Sequence, residues 1–108
     1  MNANQVSEAL GALSDPTRRA IFERLVGAPS AVGELANEFP VSRPAVSQHL
    51  RILKNAGLVT DRAEGTRRVY HVHPPALDAI RNYFDRFWSI SLSSFKQAAE
   101  RRPRKTHG

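Results

Sequence analysis

The chain has 108 residues, of which 41% are apolar, so it suits one domain with a modest core, and a partner subunit is expected to help bury apolar surface. Its net charge is +6 and its sequence pI is near 10.8, and the absence of cysteine excludes disulfides, thiolate metal sites and cysteine nucleophiles. No stretch approaches the ~18–20 apolar residues of a membrane span, and "MNANQVSEAL" lacks the features of a secretory signal, so we expect a cytoplasmic protein without a membrane partner.

Two amphipathic helices are predicted in the N-terminal third. In residues 6–13, one helical face carries Val6, Ala9, Leu10 and Leu13. The second helix is expected to begin with Asp15 as its N-cap and Pro16 in its first turn, where a missing N–H is tolerated. Its apolar stripe consists of Ile21, Phe22, Leu25 and Val26. Gly27 and Pro29 are expected to end this helix.

A helix-turn-helix is predicted over about residues 30–57. Ser30 is expected to cap a short helix that directs Val32, Leu35, Ala36 and Phe39 inward. After a turn of about three or four residues, Ser42 caps a second helix in which Pro44 is tolerated within the first turn. The core side of that helix is formed by Ala45, Val46, Leu50, Ile52, Leu53 and Ala56. Gly57 provides its C-terminal stop.

After that glycine the sequence pattern changes from helical to alternating. "LVTDR" and "RRVYHVH" flank the turn "AEGT", which predicts a two-stranded hairpin, the wing, at about residues 58–73. A hairpin alone is marginally stable, so we expect it to pack on the helical core through Leu58, Val59, Val69 and Val72. A last helix is predicted at about residues 75–100, followed by a flexible basic tail at 101–108. The apolar residues of this last helix are Leu77, Ile80, Tyr83, Phe84, Phe87, Trp88, Leu92 and Phe95.

This order of elements is typical of a winged helix-turn-helix DNA-binding domain. The predicted fold is therefore mainly α, with about five helices and a small β-hairpin in a single domain of residues 1–100. Charge is unevenly distributed: residues 1–40 carry three arginines against five acids, whereas residues 41–73 carry six basic residues against two acids. A basic centre on a near-neutral body indicates a polyanionic partner, although charge alone leaves a merely soluble basic surface equally open.

The helix after Ser42 has the side chains that the DNA major groove requires. Arg43, Ser47, Gln48 and Arg51 lie on roughly one face, opposite the core stripe and without a carboxylate. The amide of Gln48 suits an adenine edge and the guanidinium of Arg43 suits guanine, while serine hydroxyls can donate to phosphates. The predicted DNA-binding residues are Ser42, Arg43, Pro44, Ser47, Gln48, His49, Arg51, Arg62, Arg67 and Arg68. The last three are expected to clamp phosphates at the wing, and His49 lies either at the edge of this face or on the packed side.

"ALSDPTRRAIFERL", "VGELANEFPVSRPAVSQHLRILKNAGLV" and "EGTRRVYHV" resemble the ArsR-type winged-helix repressors of bacteria over roughly residues 6–90. The resemblance implies a homodimeric, sequence-specific transcriptional regulator, usually a repressor, that binds a palindromic double-stranded operator. It also implies a dimer interface built from the first and last helices. The corresponding residues here are Val6, Leu10, Leu13, Tyr83, Phe84, Phe87, Trp88, Leu92 and Phe95. An apolar stripe as long as that of the last helix is hard to bury within one monomer, which agrees with this expectation.

Many ArsR-type proteins sense metals through thiolates on the third helix, or through carboxylates and imidazoles on the last helix. Here the third helix has no cysteine, and the last helix offers Asp78 and Asp85 but no histidine. His71 and His73 share a strand face and could form half a metal site, but exposed histidines at the base of the wing are the favoured interpretation. The chain therefore most resembles the metal-independent autorepressor branch, with no cofactor expected and an unknown effector.

Three other functions are weighed against a repressor. An enzyme is not expected, because there is no Ser/His/acid set and because Ser47 and His49, two positions apart on a helix, do not face each other. A metal-responsive repressor with non-cysteine ligands would bind a metal tightly and stoichiometrically. A general DNA- or RNA-binding protein would bind without sequence preference, whereas the repressor should select a palindrome.

Overall fold

A computed structural model describes residues 1–101 as a mainly helical fold with a small sheet. The elements in chain order are α1 (Ala3–Ala12), α2 (Pro16–Gly27), β1 (Ser30–Ala31), α3 (Val32–Glu38), α4 (Arg43–Asn55), β2 (Val59–Glu64), β3 (Arg67–Val72) and α5 (Pro74–Arg101). The predicted fold class, mainly α with about five helices and a small β element, is confirmed. Apart from Arg101, which ends α5, the predicted basic tail lies outside the described residues.

Side-chain caps determine where two of the predicted helices begin. The Oδ2 atom of Asp15 accepts the backbone N–H of Arg18 at 2.8 Å, and the Oγ atom of Ser42 accepts that of Ala45 at 3.3 Å. Each bond satisfies a donor that the first helical turn leaves without an intrahelical partner. The predicted caps at Asp15 and Ser42 are therefore confirmed.

The predicted cap at Ser30 is wrong, because this residue belongs to a strand. Ser30 pairs with Tyr70 across β1 and β3, and α3 begins after Ala31 without any side-chain cap. The expected two-stranded hairpin is thus one part of a three-stranded antiparallel sheet in the order β1–β3–β2. The two residues of β1 bond to the edge of β3 that β2 leaves open, and this satisfies backbone groups that would otherwise need water.

Two glycines shape the junctions around β2. Gly57 adopts a φ of +79°, and the N–H of Leu58 bonds to the carbonyl of Leu53 at 3.0 Å, which ends α4 as predicted. Gly65 adopts a φ of +66° in the turn between β2 and β3. Residues with a Cβ rarely adopt this left-handed backbone conformation, so glycine suits both positions.

The core lies between α4 and the elements around it. Its largest fully buried side chains are Ile21, Leu35, Leu50, Leu53, Leu58, Val46 and Val59. Leu58, Val59 and Val69 are all buried, so the expected packing of the wing on the helical core is confirmed. Val26, which was predicted in the stripe of α2, is instead 54% exposed because it follows Leu25 and lies about 100° further round the helix.

Within residues 1–101, only the beginning of α5 packs on the rest of the chain. Ala76 is fully buried and Ile80 and Tyr83 are half-buried, whereas Leu77 is exposed and every residue from Phe84 to Arg101 is exposed. The helix therefore extends away from the body, and the molecule measures 76 × 28 × 20 Å. Within residues 1–101, no helix combines the length and apolarity of a membrane span.

Candidate nucleic-acid interface

The solvent side of α4 carries polar and cationic side chains and no carboxylate. Val46, Leu50 and Leu53 are fully buried on the opposite side, which fixes the orientation of the helix. The exposed residues of the predicted set are Ser42, Arg43, Pro44, Gln48 and Arg51, and Ser47 is half-buried. Such a face offers hydrogen-bond donors to base edges and phosphates and brings no negative charge towards them.

Arg43 lies at the junction of the two helices of the helix-turn-helix. Its Nη1 atom is 3.7 Å from the point that a Cβ on Gly33 would occupy, so the guanidinium rests against the first turn of α3. Neither Arg43 nor Arg51 forms an ion pair with any residue in the described part of the chain. Both guanidinium groups can therefore bind an external acceptor without first breaking an ion pair.

Two arginines of the wing, unlike those of α4, form ion pairs within the chain. The Nη2 atom of Arg67 contacts Oε1 of Glu34 in α3, and the Nε atom of Arg68 lies 3.5 Å from Oδ2 of Asp61 in β2. Both arginine side chains remain more than half exposed. Both partners are exposed in the pair of Arg67 with Glu34, and such a pair contributes little to stability, so a phosphate oxygen can replace the carboxylate of Glu34. The sequence pattern predicted the arginines but not their carboxylate partners. Glu34 is distant from the wing in sequence, and the meeting of Asp61 with Arg68 depends on the register of the hairpin.

Known proteins resemble this chain in sequence and in fold. A family model described as a helix-turn-helix domain matches residues 13–62. The HTH-type transcriptional regulator Rv2034 of Mycobacterium tuberculosis is 60% identical over 86 residues, which are 80% of this chain and 80% of that protein. Transcriptional repressor SdpR of Bacillus subtilis is 37% identical over 76 residues, or 70% of this chain and 84% of that protein.

Among solved structures, a similar one is the solution structure of the homodimeric winged helix-turn-helix DNA-binding domain Mb0332 from Mycobacterium bovis, described as a possible ArsR-family transcriptional regulator. It matches with a TM-score of 0.63 and 26% identity over 87% of this chain and 84% of that chain. The chain belongs to the ArsR family of transcriptional regulators. The predicted family, and with it the function of a DNA-binding transcriptional regulator, is confirmed.

In this ArsR-family chain, a half-buried ion pair joins the end of α4 to the wing. The Nζ atom of Lys54 lies 2.7 Å from Oδ1 of Asp61, whose side chain is only 12% exposed. The hydrogen bond from Lys54 is the largest cause that lowers the pKa of Asp61; burial opposes it, and the charges of Lys54 and Arg68 lower the pKa further. Asp61 therefore holds the wing at a defined position relative to α4. The sequence contained no signal that pairs these two residues.

We expect Asp61→Asn to reduce the loss of stability in acid. Because the folded-state pKa of Asp61 lies below its unfolded value, the ionised carboxylate stabilises the fold above the ordinary pKa, and this contribution disappears as the pH falls through the lowered pKa. Urea unfolding between about pH 5 and pH 2 should show a larger decrease in unfolding free energy for the wild type than for the variant. Asp85→Asn, which removes an exposed carboxylate of α5, is the control. Parallel curves for the wild type and Asp61→Asn would contradict the role of this ion pair.

The wing also contains a cluster around His71. The Nε2 atom of His71 lies 2.9 Å from Oε2 of Glu64 and 3.0 Å from Nε of Arg62. His71 and His73 are both half-buried, so the prediction that they are exposed at the base of the wing is wrong. His71 belongs to β3, which packs beside α2 and β2, whereas His73 follows the end of that strand. No group of three or more histidine, aspartate or glutamate residues within residues 1–101 is arranged to hold a metal ion.

His49 lies on the packed side of α4. The side chain is half-buried, and its Nδ1 atom is buried without a hydrogen-bond partner in the described residues. The pKa of the Asp15 carboxyl is lowered chiefly by the hydrogen bond from the backbone N–H of Arg18, and the nearby His49 lowers it further. Of the two alternatives for His49, the structure favours the packed side.

The predicted dimer residues separate into a covered group and an exposed group. Val6 is buried and Leu10, Leu13 and Tyr83 are half-buried within the monomer. The apolar surface of α5 consists of Phe84 (52% exposed), Phe87 (59%), Trp88 (67%), Ile90 (67%), Leu92 (49%) and Phe95 (75%). Ile90 was missed, although its spacing of three residues from Phe87 continues the stripe. A patch of this kind on a regulator of this family needs a covering partner.

Proposed function

We propose that the chain is a homodimeric, sequence-specific repressor that binds a palindromic double-stranded DNA operator in the cytoplasm, without enzymatic activity or a cofactor. The observation that carries this proposal is the exposed, acid-free face of α4 with Arg43, Gln48 and Arg51. Within the proposed single domain of residues 1–100, residues 42–56 read bases and the wing at 58–73 holds the backbone. Relatives named as a transcriptional repressor and a transcriptional regulator support this assignment.

The dimeric state is proposed from the exposed half of α5. Within residues 1–101, six large apolar side chains on its surface remain about half exposed or more. The related domain Mb0332, which is described as homodimeric, supports the proposal that a second copy covers them. A twofold axis at α5 would present two copies of α4 to successive major grooves, about 34–36 Å apart.

The most direct test is in vitro selection of DNA bound by the full chain, followed by footprinting on the upstream region of its own gene. The expected result is an imperfect palindrome, with protection of both half-sites at one helical turn of separation. Recovery of unrelated sequences with equal affinity would refute sequence-specific binding. A selected site without twofold symmetry would refute the proposed dimeric arrangement.

Arg67→Ala is expected to weaken binding to all DNA sequences alike. A phosphate contact carries no sequence information, so the variant should reduce the affinity for operator and random duplexes by a similar factor. The slope of log affinity against log salt should become less steep by at most about one unit. Titrations at several salt concentrations measure both quantities. A loss confined to one operator base pair would contradict the phosphate role.

A further inference from the structure

We propose that Glu34 competes with DNA phosphate for Arg67 and so limits the affinity of the wing for the DNA backbone, whatever the base sequence. The inference rests on the proposed function, since it requires the wing to contact the DNA backbone. Glu34 belongs to the first helix of the helix-turn-helix, whereas Arg67 begins β3 next to the wing turn. Their contact therefore joins the helix-turn-helix to the wing, which the proposed function places on the DNA backbone.

The carboxylate of Glu34 is held in place from two sides. Its Oε2 atom accepts a hydrogen bond from Oγ of Ser30 at 3.0 Å, and Ser30 is 1% exposed in β1. Its Oε1 atom contacts Nη2 of Arg67. The hydrogen bond from Ser30 is the largest cause that lowers the pKa of Glu34, so the carboxylate is ionised at neutral pH. A buried hydroxyl thus fixes an anion beside an exposed wing cation.

Carboxylate and phosphate oxygens are both strong acceptors for a guanidinium group. DNA can therefore bind Arg67 only by replacing Glu34 or by placing a phosphate close to its negative charge. Phosphate contacts supply essentially all of the affinity for random DNA, whereas base contacts add to the affinity for an operator. A loss of phosphate affinity at Arg67 is therefore expected on every duplex, and a random duplex reports it without the added affinity of base contacts.

The test compares Glu34→Gln with Glu38→Gln on a random-sequence duplex at several salt concentrations. Both residues lie in α3 and both variants remove one negative charge, but Glu38 pairs with Arg24 of α2, with 2.6 Å between its Oε2 and the arginine Nε. Glu34→Gln should raise the affinity roughly 2- to 5-fold, the range that an exposed ion pair supports. It should also steepen the salt slope by up to about 0.9 unit, while Glu38→Gln should do neither.

The same substitution in an Arg67→Ala background completes the experiment. Here Glu34→Gln should have no effect, because the arginine that it releases is absent. An equal gain from Glu38→Gln, a gain that persists without Arg67, or a loss of affinity in Glu34→Gln would each overturn the proposal. Thermal unfolding verifies that the variants fold, and glutamine retains an oxygen that can accept the hydrogen bond from Ser30.

The two proposals fail in different ways. If Arg67→Ala weakens binding but Glu34→Gln leaves it unchanged, the wing contacts DNA and only the competition by Glu34 is refuted. If Arg67→Ala itself has no effect on any duplex, the phosphate role of Arg67 fails and the role of Glu34 fails with it.

Discussion

Phe84→Asp is expected to convert the protein to a monomer and to lower its operator affinity by about 100-fold or more. Phe84 is 52% exposed on α5, and its ring lies edge-on to Tyr83 with 5.4 Å between the ring centroids. A carboxylate at this position of the proposed interface would be buried among aromatic side chains without a partner, which disfavours association. Loss of the dimer removes the second recognition helix, and with it the gain that two linked sites provide.

Val26→Asp is the matched control for this experiment. Val26 is 54% exposed, nearly the same as Phe84, but it lies on α2 rather than on α5. Sedimentation velocity should show a dimer for Val26→Asp and a monomer for Phe84→Asp, with Trp88→Ala shifted in the same direction. A dimeric Phe84→Asp protein would refute the proposed interface. A monomeric one with full operator affinity would refute the need for two recognition helices.

Gln48→Ala is expected to cost about 1–3 kcal/mol of operator binding and to relax the preference at a single base pair in each half-site. Gln48 is exposed on the face of α4 opposite Leu50 and Leu53. Its amide can donate and accept at one adenine edge, and alanine loses both bonds. Arg43→Ala should have an effect of the same size at a different base pair, because a guanidinium suits guanine.

Binding should be measured on the selected operator, on operators with each base pair changed in turn, and on a random duplex. Gln97→Ala removes the same side chain from the exposed end of α5 and should leave the operator preference unchanged. If Gln48→Ala loses the same factor on random DNA as on the operator, the residue contacts the backbone rather than a base.

Local sequence signals were sufficient for most of the helical framework. The caps at Asp15 and Ser42, the stop at Gly57 and the buried stripe of α4 were all predicted, because each depends on residues within one or two turns. The same periodicity identified the cationic face of α4 and the apolar stripe of α5. Placing a side chain on a helix face requires only the spacing of 3.6 residues per turn.

Local sequence signals did not predict the contacts between segments that are distant in the chain. Serine is a residue type that often caps helices, yet Ser30 pairs with the open edge of β3 as part of a strand. Its hydroxyl then donates a hydrogen bond to Glu34, which contacts Arg67. Nothing in the spacing of these residues along the chain predicts that meeting, and the same holds for Lys54 and Asp61. By itself the sequence determined the helices, their faces and the family. Only the tertiary structure decided which carboxylates neutralise the wing and how much of α5 stays uncovered, because both depend on packing between segments far apart in the chain.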